Sequence, residues 1–541
     1  MNGAGKMFFM LSALLMIAMS GEAQELREEL GGFGRKVTCG SAEAQKWFDQ
    51  GFTLYFSYHQ DAAIPSFNKA FELDSSCTMA LWGAALTAGP HINNPAMDSA
   101  SARLAYDMVT KAKSRTGHLT AVEKDLIEAL THRYSWPMPA DQMVNNLAYA
   151  NAMREVWKKY PNDVDVCVLF ADAMMNLRPW DLWTYEGQPQ PGTEEIVVTL
   201  QRALEMNPRH PGACHFYIHT MEASPTPQAA LAAADTLRDL IPGAGHLVHM
   251  PSHIDLRLGR YDEAIQANQR AIEASLPYAN EQNFFTIYRI HNYHFLSFAA
   301  MFEGRKQLAL QSARDAVAQL DINFVRAVPD FLDGFLTVPV HVMVRFGMWN
   351  EILAEPAPPA DMQVATSFWR YGRTVALSAL GRTEEAAQEF ELMKAAAASM
   401  PSTRNVGNNP AAVVMEIGLA IAEGELEYRK GNYDRAFELL RTAVAKDERL
   451  KYDEPWDWMM PPAHALGALL LEQKRYDEAE AVYLADLKRH PENGWALLGL
   501  KECQLQTGRG EEANMTAARF EKSWERSDIT IKASCFCSRG S

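Results

Sequence analysis

The chain lacks an excess of basic residues, a set of closely spaced cysteines and long apolar stretches, and each absence argues against a class of protein. Its 51 lysines and arginines are outnumbered by 67 aspartates and glutamates, and the net charge of −16 argues against a nucleic-acid partner. Seven cysteines are few for 541 residues, and since only Cys535 and Cys537 lie close together, they form no disulfide framework. The apolar run from Met7 to Met19 is too short to span a bilayer, and no later apolar stretch reaches the length of a transmembrane helix.

Several catalytic motifs are also missing. No His-Glu-x-x-His pattern is present, which excludes the zinc proteases that carry it. No Gly-x-Ser-x-Gly elbow is present, which argues against an α/β-hydrolase. The stretch GGFGRK, residues 31 to 36, lacks the Lys-Ser/Thr of a phosphate-binding loop.

The N-terminus predicts export. Lys6 precedes the apolar run Met7 to Met19, which is too short for a membrane helix and is typical of a secretory signal. Cleavage is expected after Ser20 or Ala23, and no cysteine follows that would support a lipid anchor. We therefore predict a signal peptide at residues 1–23 and a periplasmic or extracellular protein, the alternative being a buried N-terminal helix.

An internal repeat determines the predicted fold. The phrase GRYDEAI at Gly259 recurs as GRTEEAA, GNYDRAF, KRYDEAE and GRGEEAN further along the chain. Taking the alanine of each second helix as position 20 gives units starting at residues 211, 245, 460 and 494, so that both pairs are 34 residues apart. That period belongs to the tetratricopeptide repeat, which has two helices per unit.

We accordingly predict an all-α fold, a tetratricopeptide-repeat α-solenoid coiled as a right-handed superhelix. Further units are expected near residues 44, 290, 333, 367 and 417, with an insertion at 178–192. The predicted divisions are a linker at 24–40, the solenoid at 41–526 and a polar tail at 527–541.

The histidines concentrate on one predicted face. In this class of repeat, positions 2, 5, 9 and 12 of each first helix line the concave groove, and helical spacing places them on one side. Nine of the fifteen histidines fall at such positions. The densest group occupies three successive units: His215, His219, His246, His249, His253, His291 and His294, with Glu222 at position 12.

These residues suggest a metal site. Neighbouring helices lie about 8–10 Å apart, so imidazoles from adjacent rows can reach a common point. Seven protonated imidazoles would repel one another, whereas a bound ion keeps them neutral. Imidazole with one carboxylate suits a divalent transition metal, of which zinc and copper are the best candidates. Glu222 is predicted to act as a ligand or a general base.

Pro251 interrupts the helix that carries three of the histidines. It removes one backbone donor and bends the helix between His249 and His253. The bend either aims these two side chains or is tolerated for packing reasons.

The phrases HPGACHFYIHTMEAS, GAGHLVHMPSHI and HNYHFL make the chain resemble a family of exported bacterial tetratricopeptide proteins. The resemblance covers roughly residues 40 to 525 and implies the fold and export but no particular reaction. It also adds His59 to the residues near the groove, while His91 and Ala463 stand where the family pattern has asparagine and arginine.

Three functions are compatible with these patterns. The first is a metal site in the concave groove, with catalysis left open. The second is an interaction scaffold that binds an extended peptide or protein in the groove without metal. The third is metal storage or delivery in the periplasm. The sequence does not choose among them.

Overall fold

The computed structural model describes residues 25–278 and 282–538, and the regular secondary structure of this part of the chain is almost entirely helical. The predicted signal peptide, residues 1–23, lies outside the described residues. The strands in the described part are Asn405–Val406 and Asn409–Pro410, which pair antiparallel with Asn405 opposite Pro410. The predicted all-α tetratricopeptide-repeat solenoid is confirmed. None of the described helices combines the length and the apolar character that a bilayer crossing needs.

The chain forms two compact units. The first comprises residues up to Ile254 together with Arg270–Phe285, and the second comprises Asp255–Gln269 together with residues from Thr286 onward. The helices of the first unit are α1 (Ala42–Phe56), α2 (Gln60–Leu73), α3 (Thr78–Thr87), α4 (Ser99–Lys113), α5 (Ala121–Thr131), α6 (Met143–Lys159), α7 (Val164–Met175), α8 (Thr193–Met206), α9 (Pro211–Met221), α10 (Leu231–Leu237) and α11 (Gly245–His249).

Three helices contain the points where the chain passes between units, namely α12 (Pro251–Arg257), α13 (Tyr261–Ser275) and α14 (Phe284–Phe302). The second unit continues with α15 (Lys306–Ala318), α16 (Ile322–Ala327), α17 (Pro329–Leu332), α18 (Val338–Arg345), α19 (Trp349–Ala354), α20 (Gln363–Ala379), α21 (Thr383–Ala398), α22 (Ala411–Arg429), α23 (Tyr433–Asp447), α24 (Pro462–Glu472), α25 (Tyr476–Arg489), α26 (Gly494–Gln506) and α27 (Gly510–Ser523). Short 3-10 helices occupy Glu28–Leu30, Thr116–His118, Pro227–Ala230, Leu276–Tyr278 and Asp333–Thr337.

The predicted repeat register agrees with the helix starts. Units predicted to begin at 211 and 245 begin with α9 at Pro211 and α11 at Gly245. Units predicted at 460 and 494 begin with α24 at Pro462 and α26 at Gly494. The 34-residue period therefore locates these first helices to within two residues.

Glycine lets the helices of each hairpin approach an aromatic ring. In the second unit, Tyr483 on α25 lies between Gly467 on α24 and Gly499 on α26, where added Cβ atoms would lie 2.4 Å and 2.1 Å from the ring. In the first unit, Phe67 on α2 lies between Gly51 and Gly83 in the same way. Both units thus use one packing device, which accounts for the small residues in the repeat.

Residues 25–40, which we predicted as part of a linker, are fastened to the first unit. Arg35 pairs with Asp163 at 2.7 Å and with Asp165 at 2.6 Å, and its side chain is largely buried. The backbone amide of Thr38 donates to Glu123 at 2.6 Å. These charge-assisted bonds hold the segment on the helices rather than leaving it free.

The polar tail predicted at 527–541 is also fixed over its described part. Asp528 accepts from the backbone amides of Lys306 and Gln307 at 2.7 and 2.9 Å, and so caps the start of α15 from a distant part of the chain. Cys535 and Cys537 form a disulfide, and Cys537 is completely buried. Nothing in the sequence indicated these buried and capping contacts, because the average composition of the tail is polar.

Candidate metal centre

Five histidines and one glutamate converge in the first unit, and we call this set the histidine cluster. Two histidines lie on α9, two on α11 and one on α12, while the glutamate follows the last residue of α9. All six are between 0 and 5% exposed. The members are His215, His219, Glu222, His246, His249 and His253.

Local sequence explains how the helices present these side chains. The His210 side chain caps α9 by accepting from the Ala213 amide at 3.1 Å, and Pro211 follows as the first helical residue. On the other side, α11 ends at His249 and α12 begins at Pro251, so the proline starts a helix where no amide donor is needed. The Nε2 atoms of His249 and His253 lie 2.8 Å apart across this break.

His215 presents an unprotonated Nε2 to the cluster. Its Nδ1 lies 2.7 Å from the backbone carbonyl of Phe56, and because a carbonyl only accepts, Nδ1 carries the hydrogen. In the neutral ring Nε2 is then unprotonated. That atom lies 3.1 Å from Nε2 of His246.

Glu222 orients two imidazoles at once. His219 Nδ1 donates to Oε1 at 3.0 Å, and His253 Nδ1 lies 2.5 Å from Oε2. A carboxylate that receives Nδ1–H leaves Nε2 as the ligand atom, which is the usual second-shell arrangement of metal-bound histidine. Nε2 of His219 has no hydrogen-bond partner among the residues that the structure describes.

The spacing of the donor atoms fits a metal ion. One donor atom from each of His215, His219 and His246 lies within 4.8 Å of the others, and the same holds for His219, Glu222 and His253. Bonds of about 2.0–2.1 Å from nitrogen to a tetrahedral zinc place two ligand atoms about 3.3 Å apart. The separation of 3.1 Å between the Nε2 atoms of His215 and His246 is close to that value.

Electrostatics prepares the cluster for a cation. Burial lowers the pKa of His215 and of His246 well below the usual range, and the neighbouring imidazoles lower both further. Burial works to raise the pKa of Glu222, but His219 and His253 lower it to about 2. The shifts favour neutral imidazoles at His215 and His246 and an ionised carboxylate at Glu222, which is the protonation state that metal ligation requires.

Aromatic rings close the site. Tyr58, at the corner between α1 and α2, lies 4.7 Å from His215 and stacks on His91 at 4.0 Å. Trp180, in the predicted insertion, lies edge-on to His219 at 5.6 Å. The concave groove in which the sequence pattern placed these histidines would leave them accessible in an uncovered solenoid. The cluster is instead buried, because the hairpin corner and the insertion both lie over it.

The insertion is held in place over α9. Trp183 Nε1 donates to the carbonyl of Thr220 at 2.7 Å, and the Thr193 hydroxyl donates to the carbonyl of Leu182 at 2.7 Å. Residues 178–192 are thus an ordered cover rather than a free loop. This cover could be located as an insertion in the repeat, but its fold could not be deduced from the repeat pattern.

The remaining predicted site residues belong to the second unit. His291 lies 5.1 Å from Phe295, ring to ring, and His294 lies 5.7 Å from Phe335. Burial lowers the pKa of His294 to about 3. The histidine cluster consists of residues of the first unit, and His291 and His294 lie outside this set.

Two buried parts of the site were missed by sequence reasoning. The carbonyl of Phe56 fixes the tautomer of His215, yet a backbone acceptor leaves no trace in a residue pattern. His91 stacks on Tyr58, and neither of its ring nitrogens has a hydrogen-bond partner in the described part of the chain. The only available signal for His91 was its departure from asparagine in the family pattern.

The fold and the register define a tetratricopeptide-repeat protein, a class whose stacked helical pairs commonly serve as interaction scaffolds. A family profile described as tetratricopeptide repeat matches residues 470–516. No curated protein matches the chain.

Solved structures show low overall likeness. Human IFIT1, solved as a dimer with PPP-AAAA, has a TM-score of 0.36 at 11% identity, over 89% of this chain and 91% of that one. Yeast Tom70 has a TM-score of 0.30 at 12% identity, over 90% and 91%. The Cut9–Hcn1 hetero-tetramer of APC/C gives 0.30 at 12%, over 90% and 74%. At these values the likenesses carry no argument about ligand or partner.

Proposed function

We propose that this tetratricopeptide-repeat protein binds a divalent transition-metal ion in the histidine cluster of its first unit. One observation carries the proposal. His215 and His219 each direct Nδ1 outward, to the Phe56 carbonyl and to Glu222, and so turn their Nε2 lone pairs toward the same buried point. Nε2 of His219 has no hydrogen-bond partner in the described part of the chain, and a buried lone pair of this kind is costly unless a cation occupies the space in front of it.

The donor set favours zinc or copper. Neutral imidazoles are borderline ligands that suit both ions, and the single carboxylate does not shift the preference toward magnesium or calcium. A site enclosed by protein is typical of an ion that is held, whereas a catalytic site keeps a position open. We therefore favour a structural or stored ion, and the role of general base for Glu222 stays a prediction.

Metal content of the untagged protein tests the proposal. After purification without a His-tag and dialysis against zinc or copper, we expect a stoichiometric ion by elemental analysis. The variants His215→Gln and His219→Gln should lose at least nine-tenths of it, because each removes an inward-facing Nε2. Glu222→Gln should weaken binding about 10- to 100-fold, the usual effect of removing an orienting carboxylate.

His210→Asn is the matched control. His210 is as buried as the cluster, but its ring is used by Asp165 at 3.0 Å and by the Ala213 amide. Asparagine is a preferred helix cap, so this variant should fold and keep the full metal content. A parent protein that takes up neither ion, or a His215→Gln variant that binds like the parent, contradicts the proposal and favours the metal-free scaffold.

Removal of the ion by a chelator distinguishes a structural ion from a stored one. If the ion supports the fold, its removal by a chelator should lower the thermal midpoint, since a ligand that binds only the folded state stabilises it. A stored ion also stabilises the folded state while it is bound, but after its removal the protein should keep its helical circular dichroism and rebind the ion, whereas loss of a structural ion should reduce the helical signal.

We also propose that the protein is exported, on the strength of the apolar run Met7 to Met19 alone. Intact-mass measurement of the protein from its native host should give a chain that begins within a few residues of Gly21 or Gln24. A mass that still includes Lys6 contradicts export through this signal.

A further inference from the structure

The disulfide Cys535–Cys537 lies in a fixed position on the second unit. Just before it, the Ser534 hydroxyl donates to the carbonyl of His464 at 2.8 Å, and it also contacts the Tyr483 hydroxyl at 2.6 Å. The backbone carbonyl of Cys537 accepts from the Arg429 guanidinium. The two sulfurs are therefore held against the helices by contacts on both sides.

A buried carboxyl group faces this disulfide. Glu425 on α22 is 3% exposed, and one of its oxygens lies within 4.8 Å of the sulfurs of both Cys535 and Cys537. Its Oε2 has no hydrogen-bond partner in the part of the chain that the structure describes. A carboxyl group is costly to bury in this way, which calls for an explanation beyond packing.

The disulfide is a poor structural brace. Its cysteines are separated by two positions in the sequence, and a bond that closes so short a loop restricts the unfolded chain little. The five other cysteines are unpaired, and burial raises the pKa of Cys167, Cys214 and Cys503 to about 12, which makes these thiols unreactive.

The two cysteines differ in exposure. Cys537 is completely buried, whereas Cys535 is partly exposed. Cys535 is therefore the more accessible target for an external thiol, and an attack on it makes the buried Cys537 sulfur the leaving group. A thiolate that forms at a buried position needs a nearby proton, because burial disfavours its charge.

We propose that Cys535 and Cys537 form a redox-active pair that exchanges with a dithiol, with Glu425 as the proton donor and acceptor for Cys537. A thiolate of the external dithiol bonds to Cys535 Sγ as the Cys535–Cys537 bond breaks. The electron pair of that bond leaves on Cys537, which takes the proton of the Glu425 carboxyl group. Glu425 then regains a proton from solvent.

The second half of the exchange completes the balance. The other thiol of the external dithiol loses its proton to solvent and attacks its own partner sulfur in the mixed disulfide. Cys535 leaves as a thiolate and takes a proton from solvent. The protein has gained two electrons and two protons, and the external dithiol has become a disulfide.

The surroundings of Glu425 support this role. Burial raises its pKa to about 7, although Arg429 opposes the shift. Tyr371 also interacts with Glu425 in the described part of the chain, and the Tyr371 pKa is itself raised well above the usual range. Glu425 is therefore half protonated near neutral pH, the condition in which a carboxyl group both gives and takes protons.

Reduction of the folded, full-length protein by dithiothreitol tests the proposal. Free thiols should rise from five to seven without loss of helical circular dichroism. At pH 6 the rate per dithiothreitol thiolate should be at least ten-fold lower in Glu425→Gln than in the parent. The difference should shrink above pH 8, because the parent's Glu425 is then also without its proton.

Glu472→Gln is the matched control. Glu472 accepts from the Ser538 hydroxyl at 3.1 Å, and Ser538 follows Cys537 in the sequence. Glu472 does not belong to the set of Glu425, Cys535 and Cys537, whose donor atoms lie within 4.8 Å of one another. This variant should keep the parent's rate and pH profile. The proposal is overturned if Glu425→Gln is reduced as fast as the parent at pH 6, or if the parent's disulfide is reduced only after unfolding.

Discussion

Replacing Asp486 by alanine should lower the free energy of unfolding by about 3–5 kcal/mol, the usual cost of removing one partner from a buried charged network. His464 Nε2 donates to Oδ2 at 2.8 Å, His490 Nδ1 donates to Oδ1 at 2.9 Å, and Asn493 Nδ2 donates to Oδ2 at 3.0 Å. The carboxylate is buried and ties together α24, α25 and the start of α26. Alanine leaves His464 Nε2 and His490 Nδ1 without this acceptor, and Asn493 Nδ2 keeps only the carbonyl of His490 at 2.8 Å.

The pKa of Asp486 shows how strongly its neighbours stabilise the negative charge. Burial works to raise this pKa, but His464 and His490 lower it far below the usual range. His464 is neutral in this arrangement, since its Nδ1 accepts from the Arg345 guanidinium while Nε2 donates to the carboxylate. The network is therefore an anion surrounded by donors.

Thermal unfolding and amide hydrogen exchange of α24 to α26 measure the effect. Asp434→Ala is the control, because the Asp434 side chain is fully exposed and its one ion pair, with Arg475, is 3.9 Å long. That variant should change the unfolding free energy by no more than about 0.5 kcal/mol. Equal effects of the two substitutions would show that the Asp486 network does not stabilise the second unit.

The second large effect is a loss of stability in mild acid. Burial lowers the pKa of His59 and of His341 to about 3, and that of His464 to about 4, with Arg27, His294 and the Asp486–Arg345 pair as smaller influences. In the unfolded chain these groups titrate near 6.5. As the pH falls, the unfolded chain therefore takes up protons first.

The sign and size follow from linkage. The stabilisation is complete above pH 6.5 and is lost as the pH falls toward the folded-state values. At pH 5 each imidazole contributes a loss of about 2 kcal/mol, since one pKa unit corresponds to about 1.4 kcal/mol. Thermal midpoints should therefore fall steeply between pH 6.5 and pH 4.

His341→Leu isolates one of these groups. His341 is enclosed by Trp458 at 5.0 Å and Phe368 at 5.2 Å, and neither ring nitrogen has a hydrogen-bond partner in the described part of the chain. The variant should be more stable than the parent at pH 5 by about 2 kcal/mol and should differ little at pH 8. The exposed His118→Gln control should leave the pH dependence unchanged, and a parallel pH profile for His341→Leu would contradict the assignment.

The repeat pattern predicted much of the candidate site. Position counting predicted one row of His215, His249 and His294 and a second row of His219 and His253. All of these except His294 lie in the histidine cluster. This counting works because helical spacing and the 34-residue period can both be read directly from the sequence. The same counting could not tell whether that face is open.

The tertiary contacts show that this face is covered and is not an open groove. Tyr58 and Trp180 reach the cluster from an interhelical corner and from an insertion, neither of which follows the repeat. Contacts of this kind depend on the folding of the cover, which periodicity does not encode. Burial in turn changes the chemistry, since it lowers the pKa of His215 and of His246 and, in the proposed metal site, favours an ion that is held rather than exchanged with substrate.

By itself, the sequence determined the all-α class, the register of the repeat and the concentration of histidine on one face. Only the tertiary structure decided which hydrogen each imidazole carries, because the carbonyl that fixes His215 belongs to Phe56, 159 positions away. It likewise decided that Glu425 lies beside Cys535 and Cys537, on the far side of more than a hundred residues. Local spacing sets helices and their faces, whereas protonation and reactivity are set by partners that only long-range packing brings within reach.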